Sequence, residues 1–234
     1  MSNLRLAIIT LLFAHSIPGF ASGQNDMFGV WGTVQLQGDL KSISPDLNKF
    51  NWSVMNQTRT RDDSSKGSRV QQNLLFGQFG YQLNNNASVS LGYTHTWTKP
   101  LGKATFEEIR PFQDFIWNQE ISTFKFTSRS RMEQRIREST GNTGYRARQF
   151  FKISHPLPQI YGLSAYIGDE ILFYINQNDF GKKGFSENRV FSGLSYQITK
   201  KSGVDLGYMG QYVDTMSGEN IFAHNVEVTF RHKF

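Results

Sequence analysis

The chain has 234 residues, with 25 basic and 19 acidic side chains and a formal net charge of +6. It has no cysteine, which excludes disulfides and thiolate metal sites. Aromatic residues make up 14 % of the sequence, yet no apolar stretch approaches the ~18 residues of a membrane-spanning helix. A polar chain rich in aromatic residues is typical of a transmembrane β-barrel, because each strand presents only every second side chain to lipid.

The first 22 residues have the pattern of a secretory signal peptide. Arg5 precedes an apolar run, which leads to small residues and a cleavage site near Ser22. The alternative, an uncleaved anchor, needs about 20 apolar residues, and Pro18 and polar residues interrupt this run. We therefore predict a cleaved signal peptide over residues 1–22 and one barrel domain over residues 23–234.

Alternation of apolar and polar residues indicates eleven strands in chain order. The apolar positions fall within residues 28–40, 50–54, 75–83, 87–97, 109–117, 124–136, 145–153, 163–175, 190–198, 204–212 and 222–234. Bacterial single-chain barrels have even strand numbers. The prediction is thus an all-β, antiparallel up-and-down transmembrane barrel of about 12 strands, with 10 as second choice. An uncounted strand would lie in the segment from Gln24 or between Trp97 and Phe126.

The chain ends on an alternating apolar face. Its members are Val226, Val228, Phe230, His232 and Phe234. This ending resembles the C-terminal signal by which outer-membrane β-barrels are recognised for assembly. It predicts the bacterial outer membrane as location, with membrane lipid and the barrel-assembly machinery as partners, and it indicates which parity of each strand faces lipid.

The opposite parity carries most of the charge and is predicted to line the lumen. The inward bases are Arg59, Arg61, Arg110, Arg129, Arg131, Arg135, Arg137, Arg146, Arg148, Arg189, Arg231, Lys125, Lys152 and Lys233. The inward acids are fewer: Asp39, Glu108, Asp114, Glu133, Glu170, Glu187, Asp205 and Glu227. Nucleic acid is not expected as a partner, since it needs an exposed basic surface; a monomer is expected.

Six of these arginines, from Arg129 to Arg148, lie in one hairpin. Guanidinium groups bind carboxylates and phosphates in bidentate geometry, so this wall favours a channel or binding barrel for small anionic solutes. Selectivity would be set by Arg129, Arg131, Arg135, Arg146 and Arg148. The alternative is a closed structural or partner-binding barrel, whose arginines pair with Glu108, Glu133, Glu170 and Glu227 and fill the lumen.

No catalytic site, metal or cofactor is expected. His224 and His232 lie eight residues apart on one strand, roughly 26 Å, too far to share a metal. A weaker alternative is a lipid-active enzyme that uses His95, because residues 93–97 resemble the His-x-Ser arrangement of barrel lipases and deacylases. Threonine takes the place of the serine in this segment.

Several motifs occur together along the chain: Phe79-Gly80-Tyr81 and Leu91-Gly92-Tyr93 around an asparagine turn, residues 108–113 (EIRPFQ), residues 131–135 (RMEQR), residues 145–148 (YRAR), and Asn188-Arg189 followed by Gly193. In this order they are similar to the bacterial family called domain of unknown function 2490, predicted outer-membrane barrels. The resemblance implies the barrel fold and no established activity or ligand. The size and the arginine-rich lumen also resemble small monomeric channels for acidic oligosaccharides, at the level of architecture.

Overall fold

The computed structural model describes residues 25–41, 43–63, 67–100, 104–218 and 220–234. The predicted signal peptide, residues 1–22, and Gln24 lie outside these ranges. Within the described ranges, a single turn of 3-10 helix, Pro45–Leu47, accompanies eleven strands. No helix in this part of the chain has the length and apolar character needed to span a bilayer.

The strands follow one another as a meander. They are β1 (Asn25–Asp39), β2 (Phe50–Asp63), β3 (Gly67–Gln82), β4 (Ala87–Thr98), β5 (Phe106–Ile121), β6 (Phe124–Arg137), β7 (Thr143–Pro156), β8 (Leu163–Tyr174), β9 (Gly184–Gln197), β10 (Ser202–Val213) and β11 (Ile221–Lys233). Each strand pairs antiparallel with the next, and the sheet closes into a barrel through a parallel contact between β1 and β11. We call the end at which β11 finishes the lower end and the opposite end the upper end.

The prediction of 12 strands, with 10 second, is wrong for the described residues, which form 11. Each of the eleven predicted segments overlaps one strand, and the described residues between Trp97 and Phe126 form one complete strand, β5. The error came from requiring an even number. In a closed meander, an odd number of strands brings the first and last strands together in the same direction, so the seam is parallel from Asn25↔Ile221 to Gln37↔Lys233.

The predicted outward parity is exposed along the barrel. The side chains at the end of the chain, Val226, Val228, Phe230 and Phe234, are all among the exposed large apolar residues. Aromatic rings gather outside near both ends. At the lower end Trp52 stacks on Phe234 with ring centroids 5.8 Å apart, and at the upper end Phe28 and His224 lie 5.1 Å apart.

Polar side chains interrupt this outward surface near mid-height. Asn73 donates to Thr58 (2.8 Å), and Asn56 donates to Asn73 (3.1 Å). On β6 and β7, Gln149 accepts from Ser130 (2.6 Å) and donates to Ser128 (3.0 Å). These cross-strand bonds satisfy groups that would otherwise be costly to keep away from water.

A β-bulge changes the facing of β3. Arg59 pairs with Gln72, whereas Thr60 pairs with Val70, so one residue of β3 is skipped. The extra residue reverses the parity of the strand above it. Arg69 therefore lies directly across from Arg61 on the inner side of the barrel.

Candidate functional site

The lumen holds the predicted arginines, and most of them are ion-paired. Glu108 on β5 is completely buried, and it accepts from two arginines at once. The Arg110 Nε and Nη2 atoms lie 2.6 and 2.9 Å from the Glu108 oxygens, and those of Arg135 lie 2.5 and 2.8 Å away. This carboxylate links β5 to β6 in the upper lumen. Pro111 adjoins the link and has no N–H with which to continue the ladder.

A second set of ion pairs runs from β6 to β9. Glu133 contacts Arg146 and accepts from Arg148 (3.2 Å). Arg148 also donates to both oxygens of Glu170, each at 2.7 Å. Glu170 accepts further from Arg129 (2.7 Å) and from Arg189 (3.1 Å).

The chain of charges ends on β9 and β10. Arg189 donates to Glu187 at 2.5 Å, and Glu187 accepts another bond of 2.5 Å from Gln211. Acids and bases thus alternate across four neighbouring strands, an arrangement in which each buried charge is paired.

Two further arginines each pair with one carboxylate. Arg131 makes a bidentate pair with Asp114 (2.7 and 2.6 Å), and its guanidinium carbon lies 3.7 Å from the centre of the Phe112 ring. Near the lower end, Arg231 lies 2.8 Å from Asp205. Of the predicted lumen counter-charges, Glu108, Glu133 and Glu170 are therefore engaged in ion pairs.

Other predicted lumen residues have no ion pair among the described residues. Arg59 donates to the neutral Gln57 (2.7 Å) and Gln72 (3.1 Å) and lies over the Trp31 ring at 3.6 Å. Arg61 has no ion pair in this set, and Arg137 stacks on aromatic rings. Its guanidinium lies 4.2 Å from the Phe106 ring and 5.4 Å from the Phe180 ring. Lys152 lies over the Tyr166 ring at 4.1 Å, and Glu227 is also without an ion pair here. Lys125 is the exception in this group, since it is exposed and pairs with Glu120.

A cavity of about 530 Å³ occupies the lumen and reaches side chains close to the lower rim, such as Gln37, Asn51 and Ser88. Seven arginines and three carboxylates line it: Arg59, Arg110, Arg129, Arg131, Arg146, Arg148 and Arg189 with Asp114, Glu170 and Glu227. The arrangement can hold an anion, because the walls present many donors and few acceptors.

Aromatic and aliphatic side chains form the other wall of the cavity. Trp31, Phe150, Phe191 and Met209 line it, and the Phe150 and Phe191 rings stack at 5.2 Å. This apolar wall was not predicted from the sequence. Phe150 and Phe191 share parity with the inward residues Arg148 and Arg189, which was the available signal.

The upper half of the lumen is closely filled. Side chains with less than 2 % exposure come from the upper or middle parts of five different strands: Leu74, Thr94, Thr96, Phe112, Glu108, Glu133 and Leu172. The cavity thus has closely packed side chains above it, including the first ion-pair group. This geometry favours a cavity that is closed at its upper end, which we call the cup, over a pore that runs through the whole barrel.

His95 lies on the outside of the barrel near its upper end. Its Nε2 is 2.8 Å from Glu107, and its Nδ1 is 3.8 Å from Glu138. These three side chains form the one group in the described ranges that could hold a cation, with ligand atoms all within 4.8 Å. The adjacent Thr96 is buried on the other face of the strand, so His95 and this threonine do not meet. His224 bonds the Tyr208 hydroxyl at 2.6 Å, and His232 bonds Ser202 at 2.9 Å.

Comparison with known proteins agrees with the family suggested by the motifs. The chain is 31 % identical over 153 residues to an uncharacterized protein of Methylorubrum extorquens, covering 64 % of this chain and 67 % of that protein. Residues 28–222 match the family described as "Protein of unknown function (DUF2490)". This match spans nearly all of the barrel, and the chain therefore belongs to that family.

Proposed function

We propose that this protein is an outer-membrane β-barrel that binds small anionic solutes in its lumen. The observation that carries the proposal is the cavity of about 530 Å³, in which seven arginines face three carboxylates. Six of the seven arginines already have carboxylate partners, whereas Arg59 has none among the described residues, so a solute would compensate the positive charge that remains.

The outer surface supports the membrane part of the proposal. Exposed apolar side chains and two groups of outward aromatic rings match the apolar band and aromatic girdles of transmembrane barrels. The proposal includes a signal peptide over residues 1–22, a monomeric barrel from residue 23, and a β11 that ends in the periplasm. The cup then opens towards the periplasm. It includes no catalytic step, since His95 points out of the barrel.

Arg129 offers a direct test of solute binding. Its side chain is 25 % exposed in the lumen, and it has one ion pair, with Glu170, which keeps Arg148 and Arg189 if Arg129 is removed. We expect citrate to raise the thermal unfolding temperature of the purified barrel at constant ionic strength, and choline not to. In Arg129→Gln, citrate affinity should fall at least about 10-fold, since a hydrogen bond to a charged group contributes about 1.5–3 kcal/mol.

The matched control is Lys125→Gln, on the same strand and 66 % exposed, which should keep the wild-type affinity. In planar bilayers the wild type should pass no steady current, because the upper lumen is filled. A steady anion-selective current would favour the channel instead. Absence of citrate binding together with a silent bilayer would leave the closed structural barrel, which the ion-pair network already favours as the second candidate.

A further inference from the structure

Three arginines at the upper end of β2 and β3 lack the counter-charges that most other arginines of the lumen have. Arg61 and Arg69 are directly opposite each other across the two strands, and Arg59 lies two residues below Arg61 on the same face. Among the described residues none of the three has an ion pair. We refer to Arg59, Arg61 and Arg69 as the arginine triplet.

The other pair of arginines that face each other across two strands is compensated by carboxylates. Arg131 and Arg148 also lie directly across from each other, on β6 and β7. There, Asp114 binds Arg131, and Glu133 and Glu170 bind Arg148. Like charges directly opposite in a sheet are destabilising, and the β6–β7 pair is compensated by carboxylates.

In the triplet the partners are neutral or absent. Arg59 is held by two glutamine oxygens and the Trp31 ring. The Nε and Nη2 atoms of Arg69 are buried without a hydrogen-bond partner among the described residues. Buried donors of this kind are costly to leave unsatisfied. Residues 64–66, which adjoin the triplet in sequence, add a lysine and no acid.

Four acids adjoin the triplet or act on it electrostatically. Asp62 follows Arg61 directly and is exposed, and Glu227 acts electrostatically on Arg59 without forming an ion pair with it. Glu187 lies close enough to act electrostatically on Arg59 and Arg61, but its oxygen Oε1 already accepts from Arg189 and Gln211. Asp63 follows Arg61 by two residues, and its side chain lies outside the described part of the structure. One carboxylate at this position would still leave the three guanidinium groups with an excess of two positive charges.

We propose that the arginine triplet is a binding site for an oxyanion that carries two or more negative charges, such as a phosphate group. Several guanidinium groups from adjacent strands can bind such a group in bidentate fashion, and the anion would supply the charge that the sheet lacks. The inference rests on the proposed function and deepens it, because Arg59 also lines the cavity. It names the class of solute: a small phosphorylated or comparably multivalent anion.

The test uses the purified full-length barrel in detergent, with inorganic phosphate and sodium chloride compared at equal ionic strength. Phosphate should raise the thermal unfolding temperature of the wild type. In Arg61→Gln/Arg69→Gln, this phosphate-specific rise should disappear, and phosphate affinity measured by calorimetry should fall at least about 10-fold. Without phosphate at low salt, the double variant should unfold at a higher temperature than the wild type, because the repulsion between the facing arginines is gone.

Arg137→Gln is the matched control, since it removes another arginine of the upper end that has no ion pair among the described residues. It should leave the phosphate-specific rise unchanged. If the double variant unfolds below the wild type in the absence of phosphate, or keeps the rise, the proposal is overturned. A phosphate-free unfolding temperature of Asp63→Asn clearly below that of the wild type would also overturn it, because Asp63 would then be the counter-ion.

Binding of citrate separates this result from the broader proposal. If citrate binding depends on Arg129 but phosphate binding does not depend on the arginine triplet, only the proposal of the triplet site is wrong. If citrate does not bind at all, the broader proposal that the lumen binds anionic solutes is wrong. Two samples distinguish a free phosphate from a lipid phosphate. If free phosphate raises the unfolding temperature of the barrel in a detergent that contains no phosphate group, the ligand is a soluble phosphate. If the unfolding temperature rises only when the barrel is placed in phospholipid vesicles, the ligand is the lipid headgroup.

Discussion

Removal of the Glu108 carboxylate is the strongest test of the closed upper lumen. Glu108 is 0 % exposed and accepts four hydrogen bonds of 2.5–2.9 Å from the guanidinium groups of Arg110 and Arg135. In Glu108→Gln, one acceptor oxygen is replaced by an amide NH2 group, a donor that faces the N–H donors of the arginines. Two arginines with side chains only 7 % and 12 % exposed then lack a counter-charge.

The expected cost follows from that burial. Breaking a buried ion pair by removing one partner costs about 3–5 kcal/mol, and here two pairs share the missing carboxylate. We therefore expect Glu108→Gln to lower the free energy of unfolding by at least about 3 kcal/mol. The measurement is urea-induced unfolding of the folded barrel in lipid vesicles, followed by the fluorescence of its four tryptophans.

The same strand provides the control. Glu120 is 70 % exposed and pairs with Lys125 at 3.0 Å, where water screens the charges. Glu120→Gln should cost no more than about 1 kcal/mol. If the two variants lose the same stability, water reaches Glu108, and both the closed upper lumen and the cup derived from it are wrong.

Two further predictions concern packing and closure. A Cβ at Gly92 would lie 2.1 Å from the buried Phe112 ring, so Gly92→Ala should cost about 1–3 kcal/mol of unfolding free energy. Gly77→Ala, which meets nothing within 4 Å, should be near neutral in the same urea assay. At the parallel seam, Val30 faces Val226, and cysteines at these two positions should form a disulfide on oxidation, seen as a mobility shift on non-reducing gels. Single-cysteine variants give the background, and failure of the pair to cross-link would contradict closure by eleven strands.

Most strands of the barrel, and the face of each side chain, could be predicted from the sequence because apolar and polar residues alternate strictly along the strands. Once the face of Val226, Val228 and Phe230 was taken as outward, the same parity placed Glu108, Arg131 and Arg148 inside. The alternation also indicated eleven segments, but it could not show that eleven strands close the barrel. Closure depends on how the first and last strands meet, and no residue of β1 or β11 encodes in its local pattern whether that contact is parallel.

Arg69 shows where the parity rule stops. Its position relative to Leu75 and Phe79 would place it outside, but the bulge opposite Arg59 reverses the strand above it. Nothing in the local alternation marks the skipped residue. The pairing of charges was equally hidden, since sequence spacing alone could not show that Arg148 reaches both Glu133 and Glu170.

The distribution of counter-charges bears on function more than the number of arginines does. A barrel that needed its arginines only for stability would neutralise each of them, as Glu108, Glu133 and Glu170 do on β5 to β9. On β2 and β3 the facing pair Arg61 and Arg69 has no such neutralisation among the described residues, in a sheet where like charges oppose folding. Charge left unpaired against stability is a feature expected of functional sites. The arginines of the β6–β7 hairpin are therefore part of the ion-pair network that closes the lumen. An anion would add most to stability at the β2–β3 hairpin, where it would neutralise the facing arginines.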